Sequence, residues 1–129
     1  MLKLIFTENG LYVEKLDIGI DEFINTRVAI ARCASQPIAI GTSSASMLLP
    51  NGVPTLTELV MAINQEAMHQ IAIDLVDSDC VEVSIARGHW ITSTPDAEIG
   101  IFAVTLSDRI ESALFKLWQF SMILLPLSN

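Results

Sequence analysis

The sequence predicts an α+β domain, in which a mainly antiparallel sheet of about five to six strands combines with three helices. Three observations predict this class: an Asn9-Gly10 pair between two apolar-rich runs, repeated alternation of apolar and polar residues, and segments with apolar residues at helical spacing. The order of the predicted elements is β-β-α-β-α-β-β-β-α. We expect one two-layer domain over residues 1–129, because this length closes a single core and no linker or repeat interrupts the sequence.

The first predicted element is a hairpin formed by residues 3–8 and 11–18. A two-residue type I′ turn at Asn9-Gly10 places Phe6 opposite Val13 on the paired strands. Both faces of this hairpin carry apolar side chains, so we expect other elements to cover each side at least in part.

Three helices are predicted from apolar stripes that begin near capping residues. Asp21 is the predicted N-cap of the first helix, which ends before Pro37 because a residue that precedes proline is pushed toward an extended conformation. Thr55 and Thr105 each stand three residues before an acidic residue, in the spacing of a capping box. The predicted bounds of the helices are 21–35, 55–68 and 105–125.

The remaining strands lie between and after the first two helices. Residues 37–49 enter as a strand through Ile38-Ala39-Ile40, but the pattern loosens over 41–46, where neither alternation nor helical period is clean. Further along, Asp77-Ser78-Asp79 is the predicted turn of a second hairpin, and Gly88 is a candidate bulge. The predicted strands after the second helix are 71–76, 81–85 with a continuation through 89–92, and 99–105.

Composition and charge exclude one class of partner. The 129 residues include 7 Lys and Arg against 15 Asp and Glu, for a net charge of −8, and the sequence pI is about 4.5. Such a chain repels polyanions, so we expect no nucleic-acid ligand. Hydrophobic residues make up 51% of the chain and mean hydropathy is +0.50, so we expect part of this apolar surplus to meet a partner.

The sequence favours a soluble protein of the cytoplasm. Its first residues lack the basic region and the long apolar region of a secretion signal. The longest apolar stretch, 114–127, is interrupted by Lys116 and Pro126 and is shorter than the about 20 residues of a membrane span, so we expect no transmembrane segment. In such a chain, Cys33 and Cys80 are expected to be buried thiols rather than a disulfide.

The predicted C-terminal helix is apolar around most of its circumference, and Ser112, Lys116 and Gln119 mark a narrow polar stripe. A helix of this kind is buried on more than one side, either as a central helix of the domain or in self-association. We favour self-association and expect a homodimer. The candidate interface residues are Ile110, Leu114, Leu117, Trp118 and Ile123.

Residues that carry chemistry match no established pattern of a metal, cofactor or catalytic site. His69 and His89 are far apart, and no Cys-x-x-Cys or His-x-x-x-His spacing occurs. Acidic residues gather near the second hairpin turn, where we favour a solvated turn over a Mg²⁺ or Ca²⁺ site; they are Asp74, Asp77, Asp79 and Glu82. The glycines form no phosphate-binding pattern, and Ser43-Ser44 lie in no nucleophile elbow. We therefore predict no metal, no cofactor and no catalytic residue.

One polar and aromatic segment is a candidate binding site. Arg87, His89 and Trp90 combine an anion-binding guanidinium, a titratable imidazole and a large ring, and Thr92 and Ser93 follow directly. Such a segment suits a small-ligand pocket or the centre of a protein interface. The alternative is structural: Trp90 belongs to the core and Arg87 lies at its rim.

Two functional hypotheses follow. The leading one is a non-enzymatic interaction or regulatory domain that acts as a homodimer through its C-terminal helix and binds another protein through a remaining surface. The alternative is a small-molecule-binding domain or minor enzyme with a pocket around Arg87, His89 and Trp90, where Asp74 or Glu82 serves as an acid or base. Membrane-surface association of the last helix is disfavoured, because its polar stripe lacks the Lys and Arg enrichment that anionic lipids attract.

Overall fold

A computed structural model describes residues 1–7, 10–50, 56–66, 70–94 and 97–124 of the chain. Within these residues, six strands form a mainly antiparallel sheet and three helices accompany it. The strands are β1 (Leu2–Thr7), β2 (Gly10–Lys15), β3 (Ala39–Pro50), β4 (Ile71–Leu75), β5 (Cys80–Thr92) and β6 (Gly100–Val104). The helices are α1 (Ile20–Cys33), α2 (Leu56–Glu66) and α3 (Asp108–Leu124). The predicted α+β class and the predicted order of elements are confirmed.

The strand order in the sheet is β2-β1-β6-β5-β3, and β4 also pairs with β5. The chain forms two compact units: unit 1 contains Met1–Ser43 and Arg87–Thr105, and unit 2 contains Ser44–Ala86 and Leu106–Asn129. A single two-layer domain over the whole chain stays a prediction. No helix formed by the described residues reaches the length and hydropathy that crossing a bilayer requires.

The N-terminal hairpin forms, but its register differs from the predicted one. Leu4 pairs with Val13 and Thr7 pairs with Gly10, whereas the predicted turn placed Phe6 opposite Val13. Gly10 is the first residue of β2 and has a φ of 134°, a conformation that favours glycine. The predicted register was wrong because moving a strand by two residues keeps every side chain on its face, so alternation alone fits both pairings. The turn itself lies outside the described residues.

The first helix begins and ends close to the predicted residues, but its cap differs. The N-cap of α1 is Gly19, which supplies no side-chain hydrogen bond, so the predicted cap Asp21 was wrong. Asp21 lies in the first turn instead, where its negative charge is favourable at the positive end of the helix dipole. The helix ends at Cys33, ahead of Pro37, as the sequence predicts. The predicted cap of α2, Thr55, lies outside the described residues.

The third helix is capped two residues later than predicted. The Ser107 hydroxyl accepts a hydrogen bond from the Ile110 backbone N–H at 3.3 Å, so Ser107 and not Thr105 is the capping residue of α3. Glu111, which is fully buried, accepts a hydrogen bond from the Leu106 backbone N–H through Oε1 at 3.4 Å. The Ser107 hydroxyl therefore satisfies a backbone donor of the first turn, and the Glu111 carboxylate satisfies the backbone donor of Leu106 just before the helix.

The strand β3 continues through the segment where the sequence pattern is weakest. Buried and exposed side chains alternate over its second half, and the buried ones are Ala45, Met47 and Leu49. The local sequence does not specify an extended conformation for this strand. Pairing with β5 stabilises it, because the pairing satisfies its backbone hydrogen-bonding groups. The predicted loosening over 41–46 was therefore wrong.

Two glycines in unit 1 lie under aromatic rings of the neighbouring strand. A Cβ atom at Gly88 of β5 would lie 1.9 Å from Cζ of Phe102 on β6. A Cβ atom at Gly100 of β6 would lie 2.6 Å from Cγ2 of Thr92 and 2.7 Å from Cζ2 of Trp90, both on β5. Trp90 and Phe102 are direct partners in the antiparallel register. Each ring thus covers a glycine backbone diagonally across the strand pair, a packing in which the missing side chain makes room for the ring.

The strand β5 is irregular just before this contact. Arg87 has a φ of 63°, in the left-handed region that non-glycine residues rarely adopt. The backbone irregularity expected at Gly88 therefore lies at Arg87, while Gly88 itself is buried. Glycine is required there because of the close ring, and not because of a positive φ.

Each unit has buried apolar residues of its own. In unit 1, one cluster consists of Met1, Phe23, Ile91, Ile101 and Ala103, with Ile5, Leu16, Ile20, Ile24 and Ile38 packed against it. In unit 2, the buried residues include Leu59, Ile71, Val81, Val83, Ile85, Ile110, Leu114 and Leu117. The helices α2 and α3 pack against each other.

The Gly88→Ala substitution is expected to lower the free energy of unfolding by about 1–3 kcal/mol, because the added methyl group overlaps the fully buried Phe102 ring. Urea denaturation measures the change. Gly41→Ala is the matched control, since nothing lies within 4 Å of a Cβ atom at Gly41.

Equal stability of the two alanine variants would contradict the ring contact. In a double-mutant cycle with Phe102→Leu, the penalty of Gly88→Ala should shrink, because the smaller side chain leaves space for the methyl group.

Candidate functional site

A cleft of about 330 Å³ opens in unit 1 beside the C-terminal half of α1. Its floor is a row of isoleucines on three strands: Ile5 pairs with Ile101, and Ile101 pairs with Ile91. Paired side chains of neighbouring strands point to the same face of a sheet, so the three form one continuous apolar surface. We call this site the isoleucine cleft, after the isoleucines that line it: Ile5, Ile30, Ile38, Ile91, Ile99 and Ile101.

The rim of the isoleucine cleft is apolar and exposed. Ile91 and Ile101 on the floor are 4% and 9% exposed, whereas Ile30 on α1 and Ile99 beside β6 are 58% and 53% exposed. The apolar surface therefore continues from the buried floor to solvent on two sides. Contiguous exposed apolar surface around a concavity is typical of a binding site.

Arg27 supplies the charge of the isoleucine cleft. It precedes Ile30 and Ala31 by three and four residues on α1, so the helix presents these side chains on one face. Its side chain is partly buried, and no described residue forms an ion pair or hydrogen bond with it. A guanidinium in this position offers planar, paired donors to a carboxylate.

The predicted binding segment does not converge on one site. Arg87 is exposed, and successive residues of β5 alternate between faces, so His89 shares the face of Ile91 while Trp90 lies on the other. The Trp90 ring contacts Phe6 edge to face, with ring centroids 5.6 Å apart. The Nδ1 atom of His89 is buried and has no hydrogen-bond partner among the residues that the structure describes.

Thr92 and Ser93 are the two predicted binding residues that line the isoleucine cleft. Thr92 is buried, and its hydroxyl donates a hydrogen bond to the backbone carbonyl of Thr94. Ser93 is exposed at the mouth of the cleft. Ligand or partner binding by these two residues stays a prediction.

The predicted interface residues of the C-terminal helix divide into two groups. Ile110, Leu114 and Leu117 are at most 1% exposed, so the protein buries them within a single chain. Trp118 is partly exposed, and the side chain of Ile123 lies outside the described residues. Of the two interpretations of this apolar helix, burial in the protein's own core accounts for the first three residues.

Among the acidic residues of the second hairpin, Asp77 stabilises the turn. Asp77 Oδ1 accepts hydrogen bonds from the backbone N–H groups of Asp79 at 2.7 Å and Cys80 at 2.9 Å. Asp74 and Glu82 face each other in the register of β4 and β5. Within the described ranges, no three His, Cys, Asp or Glu side chains assemble into a group that suits a metal ion.

Sequence reasoning missed Arg27 and the isoleucines of the cleft. Arg27 carried a detectable signal, because it stands in the apolar stripe that Phe23, Ile30 and Ala34 form on the predicted helix. The isoleucines carried none, since they come from separate strands whose order in the sheet the sequence does not give.

The Leu117→Ala substitution is expected to lower the free energy of unfolding by about 2–5 kcal/mol, because it leaves a cavity where a fully buried side chain packed. Leu48→Ala, in the same unit at a residue that is 59% exposed, is the control and should change stability by less than about 0.5 kcal/mol. Urea denaturation at several protein concentrations measures both. A loss for Leu117→Ala that disappears on dilution would contradict burial within one chain, and would assign Leu117 to an interface between copies.

Comparison with known proteins identifies a family for the chain. No curated protein and no solved structure is detectably similar to the chain. The profile of the Alr0857-like family matches residues 1–122, a range that contains every residue of the isoleucine cleft. The chain therefore belongs to the Alr0857-like family.

Proposed function

We propose that the chain is a non-enzymatic protein-interaction domain that binds a segment of another protein in the isoleucine cleft. An apolar side chain of that segment fills the cleft, and a neighbouring carboxylate pairs with Arg27. The observation that carries the proposal is the buried isoleucine floor bordered by Ile30 and Ile99, which are more than half exposed. Hydration of such a surface is unfavourable, and a partner that covers it gains the corresponding free energy.

The chemistry of the lining favours binding over catalysis. Apart from Arg27, the described lining residues are aliphatic or neutral. General acid–base and nucleophilic catalysis depend on carboxylates, imidazoles, thiols or activated hydroxyls. The hydroxyl of Thr92, which lines the cleft, already donates to the Thr94 carbonyl.

The size of the cleft favours a short anchor over a large ligand. Its volume of about 330 Å³ is at the lower end of ligand sites, which span roughly 300–1,000 Å³. Full burial of an isoleucine side chain contributes about 1.5–3 kcal/mol, and the two rim isoleucines begin about half buried. Association also costs free energy, because both partners lose conformational freedom, so we expect a reversible complex. Its specificity should depend on the pairing with Arg27.

A small-molecule pocket around Arg87, His89 and Trp90 has less support. His89 and Trp90 lie on opposite faces of β5, and Arg87 is exposed. One ligand would therefore not contact all three side chains from one side of the sheet.

Self-association through α3 is a second candidate function. Phe115 and Trp118 are both partly exposed, and their rings contact each other with centroids 6.0 Å apart. Aromatic residues of this kind are enriched at the centres of interfaces. Light scattering over a dilution series tests the homodimer: a mass that Phe115→Asp halves supports it, and a wild-type monomer at every concentration rejects it.

We propose that these interactions take place in the cytoplasm. Cys33 is exposed and Cys80 is partly exposed, so the expectation that both are buried was wrong, and both are free thiols. Free and accessible thiols are usual in reducing compartments, whereas secreted domains tend to pair them.

Ile30→Glu and Ile99→Glu are expected to abolish binding of peptides selected against the wild-type protein from a display library of short random sequences. The charged side chain opposes desolvation of the cleft rim. Ile18→Glu is the matched control, because Ile18 is 37% exposed in the same unit and lies outside the cleft lining. Binding is measured by fluorescence anisotropy of the selected peptides. Selected peptides that bind all three variants as tightly as the wild type would reject the cleft as the docking site.

Arg27→Gln is expected to lower the affinity for selected peptides that carry Asp or Glu by about tenfold, because it removes a charge-assisted pair. Uncharged versions of the same peptides, with Asn or Gln at those positions, should lose little. An equal loss for both kinds of peptide would show that Arg27 contributes packing and not charge recognition.

A further inference from the structure

A second concave site lies in unit 2, between the two helices that pack against each other. This α2–α3 groove has a volume of about 480 Å³. Leu59 and Met61 line it from α2, and Arg109, Ala113 and Lys116 line it from α3. The groove thus combines an apolar centre with cations on one wall.

The position of these cations is unusual for unit 2. Its sequence holds eight Asp and Glu but only two Lys and Arg, a net charge of −6, and both cations line the groove. Lys116 is exposed, while Arg109 also interacts within the chain. Glu58 on the opposite wall confines the positive side of the groove to α3. A partner that meets this wall therefore needs negative charge facing α3.

The spacing of the cations specifies the geometry of that partner. Arg109 and Lys116 are seven residues apart, which is about 10 Å along a helix that rises about 1.5 Å per residue. Seven residues make nearly two turns, so both side chains lie on one face with Ala113 between them. Carboxylates seven residues apart on a second helix match this distance.

Exposed apolar side chains lie in the α2–α3 groove and just beyond its end. Met61 on the opposite wall is 58% exposed, and Phe120, one turn beyond Lys116 on α3, is 37% exposed. Methionine adapts its shape to different partners and is common in grooves that bind helices. Ala113 allows close approach of a backbone because its side chain is small.

We propose that the α2–α3 groove binds an acidic amphipathic helix of a protein partner. Two carboxylates of that helix, seven residues apart, pair with Arg109 and Lys116, and the apolar residue between them contacts Met61 and Ala113. A polyanion such as nucleic acid does not suit this site, because the remaining charge of unit 2 repels extended negative charge beyond the groove. The proposal does not depend on the isoleucine cleft.

The test uses the full chain and a fluorescein-labelled synthetic peptide. The peptide is an alanine-rich helix with two Glu seven residues apart and Leu midway between them, and its control carries Lys in place of both Glu. Fluorescence anisotropy should show binding of the acidic peptide and a much weaker signal for the basic one. Lys116→Glu and Met61→Glu should each lower the affinity for the acidic peptide by about tenfold or more.

Two control variants make the result specific. Lys15→Glu introduces the same charge change at an exposed lysine of unit 1, and it should leave the affinity unchanged. Ile30→Glu should also leave the affinity unchanged, which separates this groove from the isoleucine cleft. Thermal melts of all variants confirm that each is folded.

Three results would overturn the proposal. The first is that the acidic peptide does not bind. The second is that it binds Lys116→Glu and Lys15→Glu with equally reduced affinity, which would mean a general charge effect. The third is that light scattering shows a wild-type dimer that Lys116→Glu dissociates in the absence of peptide. The groove would then hold a second copy of the chain.

Discussion

Unit 1 depends on the packing of two aromatic rings on two glycines. Phe102 of β6 covers Gly88 of β5, and Trp90 of β5 covers Gly100 of β6, so each strand supplies one ring and one glycine. A slip of the pairing by one residue would place the two rings on opposite faces of the sheet, and a slip by two would move each ring away from its glycine. The contact therefore selects one register. That register aligns Ile91 of β5 with Ile101 of β6, and the pairing of β1 with β6 adds Ile5 to the same floor of the candidate site.

Cations are scarce in this chain. Arg27 lines the isoleucine cleft, and Arg109 and Lys116 line the α2–α3 groove. In both sites they stand beside exposed apolar side chains. The negative charge elsewhere repels polyanions at long range, while screening by salt leaves short-range pairs with individual carboxylates effective. Both proposals thus rest on one physical principle, in which apolar contact would supply affinity and a local cation would select an acidic partner.

The C-terminal helix shows why an apolar pattern predicts burial without naming what covers it. Its sequence is apolar nearly all round, and both a central helix and a self-associating helix satisfy that pattern. The structure buries Ile110, Leu114 and Leu117 within one chain, while Phe115 and Trp118 stay partly exposed. Hydrophobic periodicity indicates which side chains are buried. Because the hydrophobic effect is non-directional, it does not indicate whether the residues that cover them belong to the same chain.

The sequence by itself determined the class of the fold, the order of its elements, the approximate ends of its helices and the net negative charge of the chain. These properties are local or additive: periodicity and caps depend on neighbouring residues, and net charge is a sum over the chain. Tertiary structure decided the register of the first hairpin, the continuity of β3 and the assembly of the cleft from Arg27 and isoleucines on separate strands. Each of these depends on pairing between distant segments, where alternative pairings bury the same apolar residues locally and only the packing of the whole sheet distinguishes them.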